Sequence, residues 1–175
     1  MEYSVAGRDG QVHRLRTVEV TQHDSKLIKT VVDIDLMTWS EQTFSRYTAG
    51  LMLRYGRTFL LLADEVPIGT CQCVRSWERP SEAVLFTISI RPGWRGRGLG
   101  TSFLEKVCEA LATSGIRSVV LHVDASNTHG IRIYEDRFGF SVAGKLQDEY
   151  ANGKDQVLLR KILQPPDTPA LRLEP

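Results

Sequence analysis

A chain of 175 residues, 42% hydrophobic and 25% charged, has the bulk for one domain around one hydrophobic core. Its 22 Lys and Arg against 21 Asp and Glu leave a formal charge of +1, which excludes a whole-molecule field for nucleic acid or an anionic membrane and makes any anion site local. Three cysteines, Cys71, Cys73 and Cys108, are too few for a disulfide scaffold and lack a second Cys or His pair at zinc spacing. No apolar run approaches the roughly 20 residues that span a bilayer. The opening Met1-Glu2-Tyr3-Ser4 lacks the basic-then-apolar order of a secretory signal, so a cytoplasmic protein is expected.

In chain order, residues 3–6 and 12–20 read as a hairpin around Gly7-Arg8-Asp9-Gly10. Asp24 is positioned to cap a first helix carrying Leu27, Ile28 and Val31 on one face. Ser40 is positioned to cap a second, in which Phe44, Tyr47, Leu51 and Tyr55 recur at helical spacing. Residues 58–63 and 68–75 form a second hairpin, with Cys71 and Cys73 as buried strand thiols, and 83–90 a further strand. Leu99, Phe103, Val107 and Leu111 mark a helix that Gly115 ends. A β-branched run over 117–123 predicts a central strand. Ile131, Tyr134 and Phe138 predict a short helix closed by Gly139, and 140–150 and 156–162 form two last strands around Asn152-Gly153. The order predicts an α/β (α+β) domain over 1–163, with a mixed sheet and helices on both faces, distinct from a doubly wound Rossmann sheet. The Pro-rich residues 164–175 are expected to be a disordered tail.

The most informative segment is Ile88-Ser89-Ile90-Arg91-Pro92-Gly93-Trp94-Arg95-Gly96-Arg97-Gly98-Leu99-Gly100-Thr101. A strand runs into a glycine-rich turn that opens an amphipathic helix. Such a helix start offers unpaired N–H groups and the positive end of the helix dipole, which together attract phosphate. Gly96, Gly98 and Gly100 remove side chains that would hold an anion off the backbone, and Arg95 and Arg97 add forked donors. A dinucleotide fingerprint starting at Gly96 would need glycine where Thr101 stands, and a Walker loop would need lysine where Leu99 stands. An RNA-binding Arg-Gly segment would be repeated and would lack this helix.

Arg95, Gly98 and Gly100, followed by Ala125-Ser126-Asn127 and Tyr134 seven residues after Asn127, resemble the GNAT N-acetyltransferase superfamily. The likeness covers roughly residues 83–163. Within it, the C-terminal half is most similar to ribosomal-protein N-terminal alanine acetyltransferases, through Ala125-Ser126-Asn127 and Tyr150 with Asn152-Gly153-Lys154-Asp155. The resemblance implies a single GNAT-like domain with a mixed, mostly antiparallel central sheet. It implies acetyl-coenzyme A as cofactor, with the pyrophosphate on Arg95, Gly96, Arg97, Gly98, Leu99, Gly100 and Thr101. The pantetheine arm would run beside Ile88, Ser89 and Ile90 like an added strand, between two strands that splay apart. Asn127 would hydrogen-bond that arm, or cap a helix. No metal is implied. The acceptor is an amine, either a peptide α-amine or a small molecule, and dimers are common among members. Tyr134 matches the usual acid for the departing thiolate.

Two departures stand out. His122 occupies the position of the glutamate proposed as base in the ribosomal-protein enzymes, and one extra residue separates Tyr134 from Gly139-Phe140. An imidazole ordinarily titrates near neutrality, so His122 is a candidate base, and a histidine bonded within the sheet is the alternative. Trp39, Phe44 and Tyr150 flank the acceptor side in the family. Asp33, Asp35 and Glu41 could attract a cationic amine but are expected to face solvent. A non-catalytic acyl-coenzyme A-binding module is the rival class.

Overall fold

Alternating apolar residues and tight turns fold most of the chain into one sheet, seen in a computed structural model that describes residues 3–6, 11–21, 24–38 and 45–164. The elements are β1 (Tyr3–Ala6), β2 (Val12–Glu19), α1 (Ser25–Asp35), α2 (Arg46–Tyr55), β3 (Arg57–Ala63), β4 (Val66–Arg75) and β5 (Glu82–Ile90). A 3-10 turn at Pro92–Trp94 leads to α3 (Leu99–Thr113), β6 (Ser118–Asp124), α4 (Thr128–Phe138), β7 (Ser141–Leu146) and β8 (Gln156–Ile162). The strand order is β1-β2-β3-β4-β5-β6-β8-β7. Only β5 and β6 pair in parallel; the other neighbours are antiparallel.

Strand alternation divides the core into two layers. Leu15, Phe59, Leu61, Cys71, Cys73, Val119, Leu121 and Leu159 face α3, whose stripe Leu99, Phe103, Val107 and Leu111 is buried as its spacing predicts. Tyr134 and Phe138 bring α4 onto the same layer. On the opposite face Leu60 and Leu62 meet Val31 and Val32 of α1 and Ala49 and Leu53 of α2. The third cysteine, Cys108, is buried on α3.

Several local expectations need correction. Ser40 and Phe44 lie outside the described residues, and Ser45 caps α2, accepting from Thr48 N at 3.1 Å. The stripe Tyr47, Leu51 and Tyr55 points outward, with Tyr47 and Tyr55 77% and 78% exposed. The helical period was legible, but small Ala49 and Leu53 make the face that approaches β3. The strand expected over 140–150 ends at Leu146, because Asp148 and Ala151 adopt φ values of 43° and 49° that break the ladder. Asp24 caps α1 as expected, accepting from Leu27 N at 2.7 Å. The tail beyond Gln164 lies outside the described residues.

What positions the site is the brief contact between β5 and β6. Only Glu82↔Ser118, Ala83↔Val119 and Val84↔Val120 pair, after which the two strands separate. Buried Glu82 secures the closed end: its Oε2 accepts from Ser118 Oγ at 3.1 Å and from Arg160 Nε of β8 at 3.0 Å. Past this point Phe86 forms a β-bulge, since Thr87 pairs with Gln72 and Leu85 with Cys73. After the bulge Ile88 and Ile90 join the α3 layer, while Thr87 and Ser89 turn to α1. Glu82→Ala would strip Arg160 and Ser118 of their shared acceptor. The expected loss is about 2 kcal/mol, or roughly 4–8 °C in melting temperature for a chain of this size, measured by calorimetry.

Candidate active site

The glycine-rich turn forms a backbone cradle. Gly96 and Gly98 adopt φ of +77° and +72°, a left-handed geometry that glycine takes without steric penalty. Gly98 is the N-cap of α3 and brings no side chain to the helix end. Leu99 and Gly100 are the first helical residues, so their N–H groups have no carbonyl a turn earlier to bond. No atom lies within 4 Å of where a Cβ would stand on Gly96, Gly98 or Gly100. Open space, orphan donors and a helix dipole together fit a diphosphate.

The two arginines serve the cradle from behind. Arg95 donates from Nε to Ile90 O at 2.7 Å and from Nη2 to Thr38 Oγ1 at 2.7 Å, joining the end of β5 to the end of α1. Arg97 donates to Gly93 O at 3.2 Å, with its guanidinium 5.4 Å from the centre of the Trp94 ring. In this structure both forks brace the turn, and the surface offered to an anion is backbone.

From the cradle a cleft of about 390 Å³ runs along Ile88, Ser89 and Ile90 to Asn127 and Tyr134. It lies along the end of β5, beyond the point where β5 and β6 stop pairing, and reaches the residues that follow β6. Asn127 caps α4, its Oδ1 accepting from Gly130 N at 2.9 Å, while also lining the cleft. Tyr134 packs against Phe138 and, edge-on, against Phe140, each centroid 5.6 Å away. Burial pushes its phenol up to about 12, so it stays protonated at neutral pH and is available as a donor.

His122 and Tyr150, distant in sequence, meet on the sheet face away from α3. His122 Nδ1 and the Tyr150 hydroxyl are 2.8 Å apart. Tyr150 is 58% exposed, and partial burial together with nearby Glu149 raises its phenol. Two residues along β6, Asp124 accepts from Ser126 Oγ and Ser126 N, and pairs with Lys154 at 3.0 Å. These bonds hold its carboxyl down at about 2. Trp39 and Phe44, the other expected acceptor residues, lie outside the described residues.

One group was misread from sequence. Asp33 is exposed and Glu41 is not described, but Asp35 is fully buried, 0% exposed, beneath the end of α1. Burial pushes its carboxyl up to about 7, a rise that the neighbouring Ser89 and Thr87 hydroxyls temper. The helical period held the signal: Asp35 lies four residues after Val31 and three after Val32, both buried. Its acidity drew the eye away from its phase. Among the described residues, no group of three or more His, Cys, Asp or Glu is arranged to hold a metal, and no helix is long and apolar enough to cross a membrane.

A diphosphate cradle opening into a cleft beside the unpaired edge of β5 is the layout of an acyl-coenzyme A-dependent transferase. The chain belongs to the acetyltransferase (GNAT) family, whose family model matches residues 21–140. Its activity is that of the family, acetyl-coenzyme A-dependent N-acetyl transfer. The [ribosomal protein bS18]-alanine N-acetyltransferase of Escherichia coli K12 is 27% identical over 128 residues, covering 69% of this chain and 78% of that protein. The crystal structure of the Escherichia coli ribosomal-protein-S18-alanine N-acetyltransferase matches with a TM-score of 0.66 at 22% identity, over 85% of this chain and 95% of that one. A chain of the NatC complex bound to Gag peptide and CoA matches with a TM-score of 0.71 at 16% identity, over 86% and 99%. At those identities the two structures establish the fold.

Two outcomes are expected here. Gly100→Glu places a carboxylate against the cradle on a helical backbone that accepts it, so acetyl-coenzyme A affinity should fall about 100-fold or more by calorimetry. The melting temperature should hold or rise, because Glu is the better helix former. Asp35 is the second case. Its raised folded-state pKa means that its contribution to stability is fully present below about pH 4, declines as pH rises, and is lost above about pH 7. Asp35→Asn removes that dependence. The melting temperature of Asp35→Asn relative to wild type should therefore climb by several degrees between pH 5 and pH 8.

Proposed function

We propose that this enzyme acetylates the free α-amine of a peptide or protein by direct attack in a ternary complex. The observation that carries the reading is that the candidate groups fall on both faces of the sheet where β5 and β6 stop pairing. The cradle and Tyr134 lie on the α3 and α4 side, and His122 with Tyr150 lies on the opposite face of β6. Two substrates can then meet across the sheet without either passing through the other's site. The likeness to the ribosomal-protein alanine acetyltransferases, together with the peptide and CoA named for the NatC structure, supports a peptide acceptor.

Bound acetyl-coenzyme A supplies the thioester. The backbone N–H groups at Gly98, Leu99 and Gly100 hold its diphosphate, and the unpaired edge of β5 at Ile88, Ser89 and Ile90 aligns the arm beside it. A backbone N–H on that edge polarises the carbonyl as its oxygen gains charge. His122, oriented by Tyr150, takes a proton from the acceptor ammonium and leaves a nucleophilic amine. Tyr134, kept protonated by burial, donates to the departing sulfur.

The test is release of free coenzyme A thiol from acetyl-coenzyme A with short peptides carrying a free N-terminal amine. The same peptides N-acetylated serve as control, beside a panel of small amines. Turnover confined to free-amine peptides supports the reading, and turnover confined to small amines overturns the peptide class. Binding without transfer to any acceptor would instead support a coenzyme A-binding module. Tyr134→Phe keeps the ring packing and removes the acid, so kcat should fall about 10²–10⁴-fold while acetyl-coenzyme A affinity holds. His122→Gln should lose rate near neutrality and regain part of it as pH rises, because the amine then arrives deprotonated. A histidine serving only the sheet would leave the pH profile unshifted.

A further inference from the structure

On the α1 side of the sheet, directly behind the cleft, lies a polar layer that the reaction as described does not use. Thr58 pairs across the sheet with Gln72, and Gln72 with Thr87, making one polar row over three strands. Thr70 pairs with Ser89 in the next row. All five are buried. Asp35 of α1 closes over them, with the Ser89 and Thr87 hydroxyls beside its carboxyl. Among the described residues, neither Asp35 oxygen completes a well-formed hydrogen bond, although the Ser89 and Thr87 hydroxyls lie close enough to temper its pKa, and the Thr58 and Thr70 hydroxyls and the Gln72 amide are likewise without a well-formed partner. Native interiors seldom leave one such group unpaired, and a cluster of them calls for a reason.

Among the described residues, the charged groups near Asp35 do not supply a counter-ion. Arg91 donates from Nε to Pro67 O at 3.0 Å, and its Nη1 lies 3.7 Å from Met37 Sδ. Arg95 is bonded to Ile90 O and Thr38 Oγ1. Cys71 of β4 faces the α3 layer instead, and its neighbour Cys73 and burial keep it a neutral thiol. The α2 residues in this layer, Ala49 and Leu53, are apolar. Thr58, Thr70, Gln72, Thr87 and Ser89, the strand residues facing it, are uncharged. The chemistry that would satisfy such a layer is a donor-rich cation, and Ser89, which lines the cleft, stands between it and the thioester slot.

We propose that Asp35, acting through Ser89, is the counter-charge that draws in and orients the ammonium group of the acceptor. This rests on the amine-acetyltransferase reading above and adds a specificity determinant to it. The ammonium donates to Ser89 Oγ, and Ser89 donates in turn to an Asp35 oxygen. Asp35 is a positioning residue, and the proton that makes the amine nucleophilic still leaves towards His122. Because the buried carboxyl titrates near neutrality without a cation, seating an ammonium ionises it and releases a proton.

The experiment uses the full chain saturated with coenzyme A, which permits acceptor binding without turnover, and a hexapeptide with a free N-terminal alanine, with its N-acetylated form as control. Calorimetry is run at pH 6.5 and pH 8 in buffers of different ionisation enthalpy. For wild type, the free-amine peptide should bind more tightly at pH 8 and release a fraction of a proton at pH 6.5, and the control should do neither. Asp35→Asn should weaken peptide binding about 10- to 100-fold at pH 8, the range for a lost hydrogen bond to a charged group, and abolish the proton release. In turnover, that loss should fall on KM for the peptide while kcat stays within a few-fold. Ser89→Ala, which keeps the carboxyl, should weaken the peptide to a similar degree and serves if Asp35→Asn does not fold. Equal affinity and equal proton release in Asp35→Asn or Ser89→Ala overturn the inference and leave the acetyltransferase reading intact. If wild type binds no free-amine peptide with coenzyme A present, the peptide-acceptor reading fails, and this inference fails with it.

Discussion

The site depends on a failure of pairing. Two parallel strands, β5 and β6, hold together for three residue pairs and then part. A sheet that splits in its interior exposes backbone donors and acceptors that would ordinarily be bonded, and such groups are expensive to bury alone. The split persists because its closed end is secured by Glu82, Ser118 and Arg160 from three strands, and because antiparallel β4 and β8 support the outer edges of the two strands. The coenzyme's pantetheine arm, itself an amide chain, is a chemically suitable occupant of the vacant strand position.

The same opening lets the two faces of the sheet specialise. The α3 layer is a continuous apolar core, and it supports the cradle and Tyr134. The α1 layer is apolar at Leu60 and Leu62 of β3 but turns polar from Thr58 across β4 and β5, where the Phe86 bulge redirects Thr87 and Ser89. One inserted residue thus sends hydroxyls to one face and isoleucines to the other. Rigid packing lies behind the cradle proposed for the coenzyme, and a hydroxyl-rich layer lies on the side where the acceptor is proposed to arrive.

Much of this was legible in the chain. The four-residue stripe of α3, the cap at Asp24, the closing Gly139 and the glycine turn each follow from short-range rules, and each is present. The outward face of α2 was not legible, because Tyr47, Leu51 and Tyr55 have the right period and only the contact with β3 decides which stripe goes inward. Asp35 was hidden for the opposite reason: its phase was clear but its charge argued for solvent. The braced positions of Arg95 and Arg97 depend on where α1 ends relative to the turn, which no spacing within one segment encodes. The pairing of His122 with Tyr150 likewise depends on how β6 and the segment before β8 come together.

Arg95 deserves a last consideration as a mechanical part. One guanidinium spans the end of β5 and the residues just beyond α1, so the glycine-rich turn and the segment ending at Thr38 are a single assembly. An anion that stiffens the turn would also stiffen the segment ending at Thr38, and any ligand touching that segment would share the ordering free energy. Affinities coupled in this way change by the same factor in either direction.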